Sequence, residues 1–210
     1  MILKQGAEAV LYLSEIENKK VLVKERIKKN YRIDQIDIKL RKERTRKEVK
    51  LLTEARKVGV LTPKIFEVDY KNFKIVMEFI EGERLKEFFS RADEKTIKKI
   101  SFEVGRLIGK LHSAGIIHGD LTTSNMILKD DQIYFIDFGL GFFSKKIEDQ
   151  GVDLNLLFEA LKATHFKILS LCWENIVKGY KQEYKNAEQV LKKVEEIEAR
   201  ARYAERKTER

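Results

Sequence analysis

Three oxygen-bearing side chains stand in this chain at a spacing that phosphoryl transfer could use. Asp120 and Asn125 lie in the segment HGDLTTSN (residues 118–125), and Asp137 begins the segment DFG (residues 137–139). Phosphoryl transfer requires a carboxylate that orients the attacking hydroxyl or water, and oxygen ligands for the magnesium ion that bridges the nucleotide phosphates. We therefore predict that Asp120 is the catalytic residue and that Asn125 and Asp137 bind Mg²⁺.

A lysine on a buried strand is the next requirement, because the nucleotide phosphates need a fixed cation. Residues 21–24 (VLVK) fit the strand that carries this lysine in protein kinases, and the two aspartate segments fit the catalytic and metal-binding loops of those enzymes. Lys24 then needs a carboxylate from the following helix. Glu48 is the predicted partner, with Glu43 as the alternative.

Residues on either side of these motifs complete a nucleotide-binding pattern. Gly6 and Ala7 open a loop whose backbone N–H groups could approach phosphates, although only one of the three usual loop glycines is present. At the end of a predicted strand, backbone groups of Met77, Glu78 and Ile80 would contact the edge of an adenine. The sequence therefore predicts ATP as the nucleotide ligand.

The elements that would hold these residues change character along the chain. β-like runs cover residues 9–16, 21–27, 64–69 and 73–80, with Asn18 and Lys19 as the turn between the first two. Helices are predicted over 34–57, from the N-cap Asp93 to Gly115, and from Gly151 onward, with a hairpin over 126–136. This order predicts an α+β, minimal bilobal protein-kinase-like fold. Its β-rich N-terminal lobe (1–80) would hold a five-stranded sheet and a long regulatory helix, and its short C-terminal lobe (81–210) would be helical.

The composition excludes several other classes of protein. The 210 residues include 43 Lys or Arg and 34 Asp or Glu, a formal net charge of +9, and 43% are hydrophobic, which is enough for a buried core. The single cysteine cannot form an internal disulfide, and no apolar run is long enough to span a membrane. We expect a cytoplasmic protein that does not associate with membranes.

Several motifs together make the chain resemble a known family over nearly its whole length. HGDLTTSN, IDFGLG, QGAEA (residues 5–9), RTRKE (44–48) and EDQGVDL (148–154) are similar to those of the small atypical kinase of the KEOPS (EKC) complex. The resemblance implies ATP and Mg²⁺ as cofactors, and Ser/Thr autophosphorylation or ATP hydrolysis as the activity. It implies two kinds of partner: the threonylcarbamoyl-transferase subunit, which the kinase would regulate, and the other KEOPS subunits. The resemblance implies that the complex modifies the adenosine next to the anticodon of tRNA. It also implies that Asp153 caps the backbone of the catalytic loop.

The chain departs from ordinary protein kinases, and two other interpretations stay open. Gly119 replaces the arginine that pairs with a phosphorylated activation loop, and His118 is predicted to support the loop without acting as a base. Only 71 residues follow Gly139, so we expect the usual peptide-substrate shelf to be missing. The alternatives are a small-molecule phosphotransferase of the aminoglycoside or choline kinase type, which also carries His-Gly-Asp, and a non-catalytic scaffold that binds tRNA.

Two basic regions bear on a nucleic-acid partner. Residues 24–50 contain 12 Lys or Arg and five Asp or Glu, which suits either a solvated helix or the neutralisation of RNA phosphates. The terminal stretch 192–210 could be a solvated helix end, or it could reach tRNA or the protein's own nucleotide site. The tail residues predicted to contact tRNA are Arg202, Arg206, Lys207 and Arg210.

Overall fold

The computed structural model describes residues 2–6 and 8–208, with the backbone alone at Lys4 and at 202–208. Its first half contains five strands: β1 (Ile2–Gln5), β2 (Ala9–Ile16), β3 (Lys19–Arg26), β4 (Ile65–Asp69) and β5 (Lys74–Glu78). They form one antiparallel sheet in the order β1-β2-β3-β5-β4. Strands β2 to β5 follow the four predicted β-like runs, and β1 is the fifth strand of the sheet.

The hairpin between β2 and β3 turns one residue earlier than the sequence predicted. Ile16 pairs with Lys19, so the two turn residues are Glu17 and Asn18, with φ values of 49° and 60°. A two-residue hairpin turn whose central residues both have positive φ matches the twist of the strands, and asparagine tolerates that conformation well. The predicted turn at Asn18 and Lys19 is therefore wrong by one position, because Lys19 already belongs to the strand.

A long helix, α1 (Asp34–Lys57), crosses between β3 and β4 as predicted. Acidic residues lie in its first turn and basic residues in its last, which suits the helix dipole. Leu51, Leu52 and Ala55 are fully buried on the face that packs into the core, and Glu48 is buried on the same face. Helix packing thus carries a carboxylate to the inner side of the sheet.

The helical half is organised around a closely packed pair of helices. These are α3 (Glu94–Ser113), which follows a short strand β6 (Glu83–Arg84) and a single turn α2 (Leu85–Phe88), and α5 (Leu169–Glu183). The Asp93 side chain caps α3 by accepting from Thr96 N–H at 2.7 Å. A Cβ on Gly105 would lie 2.0 Å from Ile176 O, and one on Gly179 would lie 2.0 Å from Phe102 O. Glycine at both positions permits this close approach of the two backbones.

Short strands between α3 and the next helix hold the predicted motifs. Strand β7 (Ile116–Ile117) leads into a 3₁₀ turn, Thr123–Asn125, and then into the hairpin β8 (Met126–Lys129) and β9 (Gln132–Phe135). Asp130 and Asp131 form its turn with positive φ, as the predicted hairpin requires. Strand β10 (Phe142–Phe143) pairs with β7, and β6 pairs with β8. The hairpin therefore brings residues 118–125 and 137–139 to the same end of β8 and β9.

Two further helices complete the fold: α4 (Ile147–Thr164) and α6 (Ala187–Thr208). Helix α4 begins four residues before the predicted Gly151, because Glu148 and Asp149 in its first turn favour a helix start there. Within the described part of the chain, none of the helices combines the length and apolarity needed to cross a bilayer. The bilobal α+β fold predicted from the sequence is confirmed.

Candidate active site

Lys24 occupies the centre of a buried cluster of charges between the two lobes. Its Nζ lies 2.6 Å from Glu48 Oε1 on α1 and 2.6 Å from Asp137 Oδ1. The other oxygen of the same carboxylate, Glu48 Oε2, accepts from Arg26 Nη2 at 2.5 Å. Glu43, the alternative partner, is exposed on α1. Two cations and two carboxylates thus compensate one another at the site where the phosphates are predicted to bind.

Lys24 and Asp137, which face the cleft, are both held in their charged forms. Burial alone would lower the pKa of Lys24, but the carboxylates of Glu48 and Asp137 outweigh it and raise the pKa above its ordinary value. Partial burial would raise the pKa of Asp137, but the Lys24 ammonium and the Gly139 N–H outweigh it and lower the pKa. A carboxylate that stays ionised is suited to binding a divalent cation.

Asp153 on α4 holds the catalytic-loop backbone, which is the role implied by the family resemblance. Its Oδ2 accepts from His118 N–H and its Oδ1 from Gly119 N–H, both at 2.8 Å. Gly119 has φ +79°, and a Cβ there would lie 2.5 Å from Leu140 O. Glycine is therefore required by the backbone at the position where kinases usually carry arginine.

His118 is fully buried and supports the loop through both ring nitrogens. Nε2 lies 3.1 Å from Ile136 O, and Nδ1 lies 3.3 Å from Asp120 N–H. Since a carbonyl can only accept and an N–H can only donate, the ring carries its proton on Nε2. Burial lowers the pKa of His118 despite the nearby carboxylates of Asp153, Asp137 and Asp120. The neutral imidazole links the two functional loops, and its nitrogens are occupied by backbone groups.

Asp120 and Asn125 are joined by hydrogen bonds across the turn of the catalytic loop. Asn125 Nδ2 donates to Asp120 Oδ2 at 2.8 Å and to Asp120 O at 2.9 Å. Asn125 Oδ1 accepts no hydrogen bond from a described residue, so the amide presents an oxygen to the cleft it lines. Asn125 and Asp137 therefore fit the oxygen ligands that Mg²⁺ prefers, and they would hold the ion at this end of the cleft.

The cleft between the lobes has an apolar end that suits a planar base. A cavity of about 500 Å³ extends from Lys24 to the segment after β5. Its apolar lining includes Leu11, Leu22, Leu52, Met77, Ile127 and Ile136. Met77, Glu78 and Ile80, the predicted adenine-contacting residues, all line it, and Ile80 N–H donates to no described residue. The Ile80 N–H is therefore available to donate a hydrogen bond to the edge of an adenine.

A smaller cavity of about 250 Å³ forms the opposite, charged end of the cleft. Gly6, Lys24, Asp120 and Asp137 line it, so the structure brings the predicted loop glycine together with the predicted catalytic residues. Gly6 N–H donates to Ala9 O at 3.0 Å and closes the loop turn. Ala7 lies outside the described residues, as do Arg210 and the side chains of Arg202, Arg206 and Lys207.

Sequence reasoning missed three charged residues at this end. Arg26 is buried against Glu48, and Glu8 pairs with Arg44 of α1 in the same cavity. The signal for Arg26 is its position two residues after Lys24 on one strand, which places both side chains on the same face. For Arg44 the signal is its position four residues before Glu48, on the same helix face.

Half of the twelve cations of the basic segment 24–50 form ion pairs within the chain. Six of its cations form ion pairs: Lys24, Arg26, Lys28, Arg32, Arg41 and Arg44. Among those without an ion pair to a described residue, Lys39, Lys42 and Lys47 are exposed on α1. The unpaired positive charge of this segment therefore lies mainly on exposed side chains of α1, to which Arg46 and Lys50 also belong.

One family profile and several known proteins match most of this chain. The family profile described as RIO domain matches residues 10–141. The KEOPS complex subunit Bud32 of Pyrococcus abyssi is 54% identical, over 98% of this chain and 97% of that protein. The "Probable serine/threonine-protein kinase BUD32 homolog" of Archaeoglobus fulgidus is 45% identical, over 96% and 95%.

A second kind of relative is a longer protein. The "Probable bifunctional tRNA threonylcarbamoyladenosine biosynthesis protein" of Methanosarcina mazei is 48% identical over 97% of this chain, which spans about a third (36%) of that protein.

Among solved structures, the Rio2 kinase–ADP/Mg²⁺–phosphoaspartate complex from Chaetomium thermophilum has a TM-score of 0.66 at 14% identity, covering 99% of this chain and 70% of that one. WaaP in complex with acyl carrier protein has a TM-score of 0.65 at 16% identity, covering 94% and 87%. At these identities the structural matches establish the fold alone.

Proposed function

Because this chain belongs to the Bud32 family of RIO-domain kinases, we propose that it is the Mg-ATP-dependent atypical Ser/Thr kinase and ATPase subunit of a KEOPS complex. In that complex it supports threonylcarbamoyladenosine formation in tRNA and regulates the transferase subunit. It acts in the cytoplasm. The observation that carries the proposal is the convergence of Lys24, Glu48, Asp120, Asn125 and Asp137 on one interlobe cleft.

Asp120 positions the attacking oxygen in this mechanism. Its Oδ2 is held by Asn125 Nδ2 at 2.8 Å, which leaves Oδ1 to accept a hydrogen bond from a water or a substrate hydroxyl. The carboxylate side chain is only half-buried and lines the charged end of the cleft, so an acceptor can reach it. Water as acceptor gives ATP hydrolysis, and a serine or threonine hydroxyl gives protein phosphorylation.

Lys24, Asn125 and Asp137 bind the nucleotide phosphates and their metal. Lys24 holds the α- and β-phosphates. Glu48 keeps Lys24 in position from the buried side, and Arg26 in turn holds Glu48. Asn125 and Asp137 would hold Mg²⁺. When bound, the ion would neutralise the charge that develops on the transferred phosphoryl group. Met77, Glu78 and Ile80 contact the adenine from the apolar end.

tRNA and the transferase subunit are the proposed macromolecular partners. The exposed lysines of α1, Lys39, Lys42 and Lys47, together with the basic tail, offer phosphate contacts that need no base recognition. We propose that these partners increase the rate of ATP turnover, because the chain belongs to a family of KEOPS subunits. Neither aminoglycoside-type phosphotransfer nor a purely structural role needs such coupling.

An ATP-hydrolysis assay separates these possibilities. Phosphate release by the chain alone, with the transferase subunit, and with the transferase subunit plus tRNA is compared at fixed Mg²⁺. The proposal expects Mg-dependent release that the partners increase. Phosphate transfer to kanamycin or choline at a higher rate would favour the small-molecule phosphotransferase, and tRNA binding without hydrolysis under any condition would favour the scaffold.

A further inference from the structure

The charged end of the cleft contains an acidic side chain that the proposed reaction does not use. Glu8 lies in the loop between β1 and β2, and its half-exposed side chain lines the same cavity as Lys24, Asp120 and Asp137. A carboxylate that faces a bound polyphosphate repels it, and the repulsion is stronger near low-dielectric protein walls than in water. Glu8 therefore needs a cationic partner if the cavity is to accept a nucleotide.

Arg44 supplies that cation from α1. It lies one helical turn before Glu48, so the packing that directs Glu48 to Lys24 also directs Arg44 to the cleft. Its Nη1 donates to Glu8 Oε2, while Arg32 Nη2 lies 3.8 Å from Glu8 Oε1. The Arg44 side chain is 35% exposed and lines the cavity, so a ligand can reach the guanidinium.

We propose that Arg44 binds the terminal phosphate of a nucleoside triphosphate and that Glu8 occupies Arg44 while the site is empty. The inference rests on the proposed ATP site and deepens it. A terminal phosphate carries more charge than a carboxylate and accepts the planar guanidinium fork in a bidentate arrangement. After the exchange Glu8 keeps Arg32 as a nearby counter-charge.

This arrangement makes the site selective for triphosphates over diphosphates. Lys24 cannot make that distinction, because Glu48 and Asp137 fix it deep in the cleft, where it meets the inner phosphates. Arg44 lies nearer the loop that covers the outer end of the cavity, and a diphosphate lacks the group that would displace Glu8. We therefore expect the pair Glu8 and Arg44 to provide most of the discrimination.

The test measures the Kd values of Mg-ATP and Mg-ADP by calorimetry for the full chain and for single variants. Arg44→Gln should lower the ratio of ATP to ADP affinity about tenfold, because it removes the charge-assisted guanidinium contact with the terminal phosphate, whose net gain is reduced by the Glu8 pair that it replaces. Glu8→Gln should raise the ratio, because Arg44 is then free to bind phosphate. Lys74→Gln is the matched control, since Lys74 pairs with Glu25 at 3.1 Å on the same sheet and away from the cavity, and its ratio should not change.

Arg44→Lys guards against a folding artefact, since it keeps the positive charge, and it should give a ratio between those of the wild type and Arg44→Gln. A ratio that stays constant in all variants, or that moves in the same direction in Glu8→Gln and Arg44→Gln, would overturn the inference while leaving the ATP site intact. If the wild-type chain binds no Mg-nucleotide, the proposed function and this inference fail together.

Discussion

Arg26 Nη2 lies 2.5 Å from Glu48 Oε2, so the kinase-like glutamate of this chain is neutralised from both sides. The arginine side chain is 5% exposed and the glutamate 1%, which makes this a buried pair. Lys24 is bound to the other oxygen of the same carboxylate. The arrangement fixes Glu48 even when Lys24 interacts with another anion.

The first prediction follows from this shared carboxylate. Arg26→Gln should destabilise the protein by about 1–3 kcal/mol, because the buried Glu48 Oε2 loses its charged hydrogen-bond donor while Lys24 still balances the carboxylate. Denaturant unfolding measures the effect, and Lys74→Gln, which removes a partly exposed pair, should cost no more than about 1 kcal/mol. Equal losses in the two variants would show that Arg26 makes no special contribution.

The second prediction concerns Gly119. Gly119→Ala should lower the free energy of unfolding by more than about 1 kcal/mol, because its φ of +79° disfavours any side chain and the Cβ would meet Leu140 O at 2.5 Å. Since the loop also carries Asp120, ATP turnover should fall in parallel. Gly6→Ala is the control for stability alone, because a Cβ there meets its nearest atom at an ordinary 3.5 Å, although Gly6 lies in the predicted nucleotide-binding loop. A Gly119→Ala protein with unchanged stability would contradict the loop geometry.

The third prediction is a loss of stability in weak acid. Burial lowers the pKa of His118 in the folded chain, whereas the unfolded chain keeps the ordinary value near 6.5. Below pH 6.5 the unfolded state therefore binds a proton that the folded state excludes, and stability falls as the pH is lowered toward the folded pKa. Urea unfolding at pH 7, 6 and 5 measures this decline.

His118→Gln should reduce that decline, because glutamine can still donate to Ile136 O but does not titrate. Burial also lowers the pKa of His165, so His165→Gln should remove a separate part of the same decline. The lowered pKa values of Asp37, Asp137 and Asp153 act in a more acidic window, below their ordinary 3.8. Parallel stability curves for the wild type and His118→Gln between pH 7 and 5 would contradict the neutral buried ring.

The sequence was sufficient for the fold and for the residues near the cleft, because their signals are local. The apolar residues of α3 that recur at the helical period, such as Ile97, Val104 and Leu111, are buried, and this periodicity is visible in the sequence. The two aspartate segments flank one hairpin, so the approach of Asn125 to Asp137 follows from a single short-range element. The assignments of Asp120, Lys24 and their neighbours to particular roles stay predictions.

Apart from the predicted pair of Lys24 and Glu48, the charge compensation of the site could not be predicted, because it depends on contacts between residues far apart in the sequence. Lys24 meets Asp137 across 113 positions of sequence, and Glu8 meets Arg44 across 36. In a chain this rich in Lys, Arg, Asp and Glu, composition offers each charge many partners. Only the packing of α1 against the sheet selects Arg44 as the partner of Glu8.

The fourth prediction concerns the basic tail. Deleting residues 201–210 removes Arg202, Arg206, Lys207 and Arg210, and it should weaken tRNA binding and flatten its salt dependence. Counterion release predicts a slope change of up to about 0.9 for each duplex phosphate that the tail no longer neutralises. Filter binding between low and physiological salt measures the slope. Glu205→Gln/Glu209→Gln is the control, and a tail deletion with an unchanged slope would remove the tail from the tRNA-binding surface.

The most direct measurement of the central claim is Mg-dependent ATP turnover by Asp120→Ala beside the wild type, in the presence of the transferase subunit and tRNA. Turnover should fall by at least about a hundredfold, since a positioned general base typically contributes that much. Mg-ATP binding should remain, whereas Asp137→Ala should lose both binding and turnover. Asp131→Asn, in the exposed hairpin turn, should behave as the wild type. Wild-type turnover by Asp120→Ala would contradict the assignment of this cleft as a phosphoryl-transfer site.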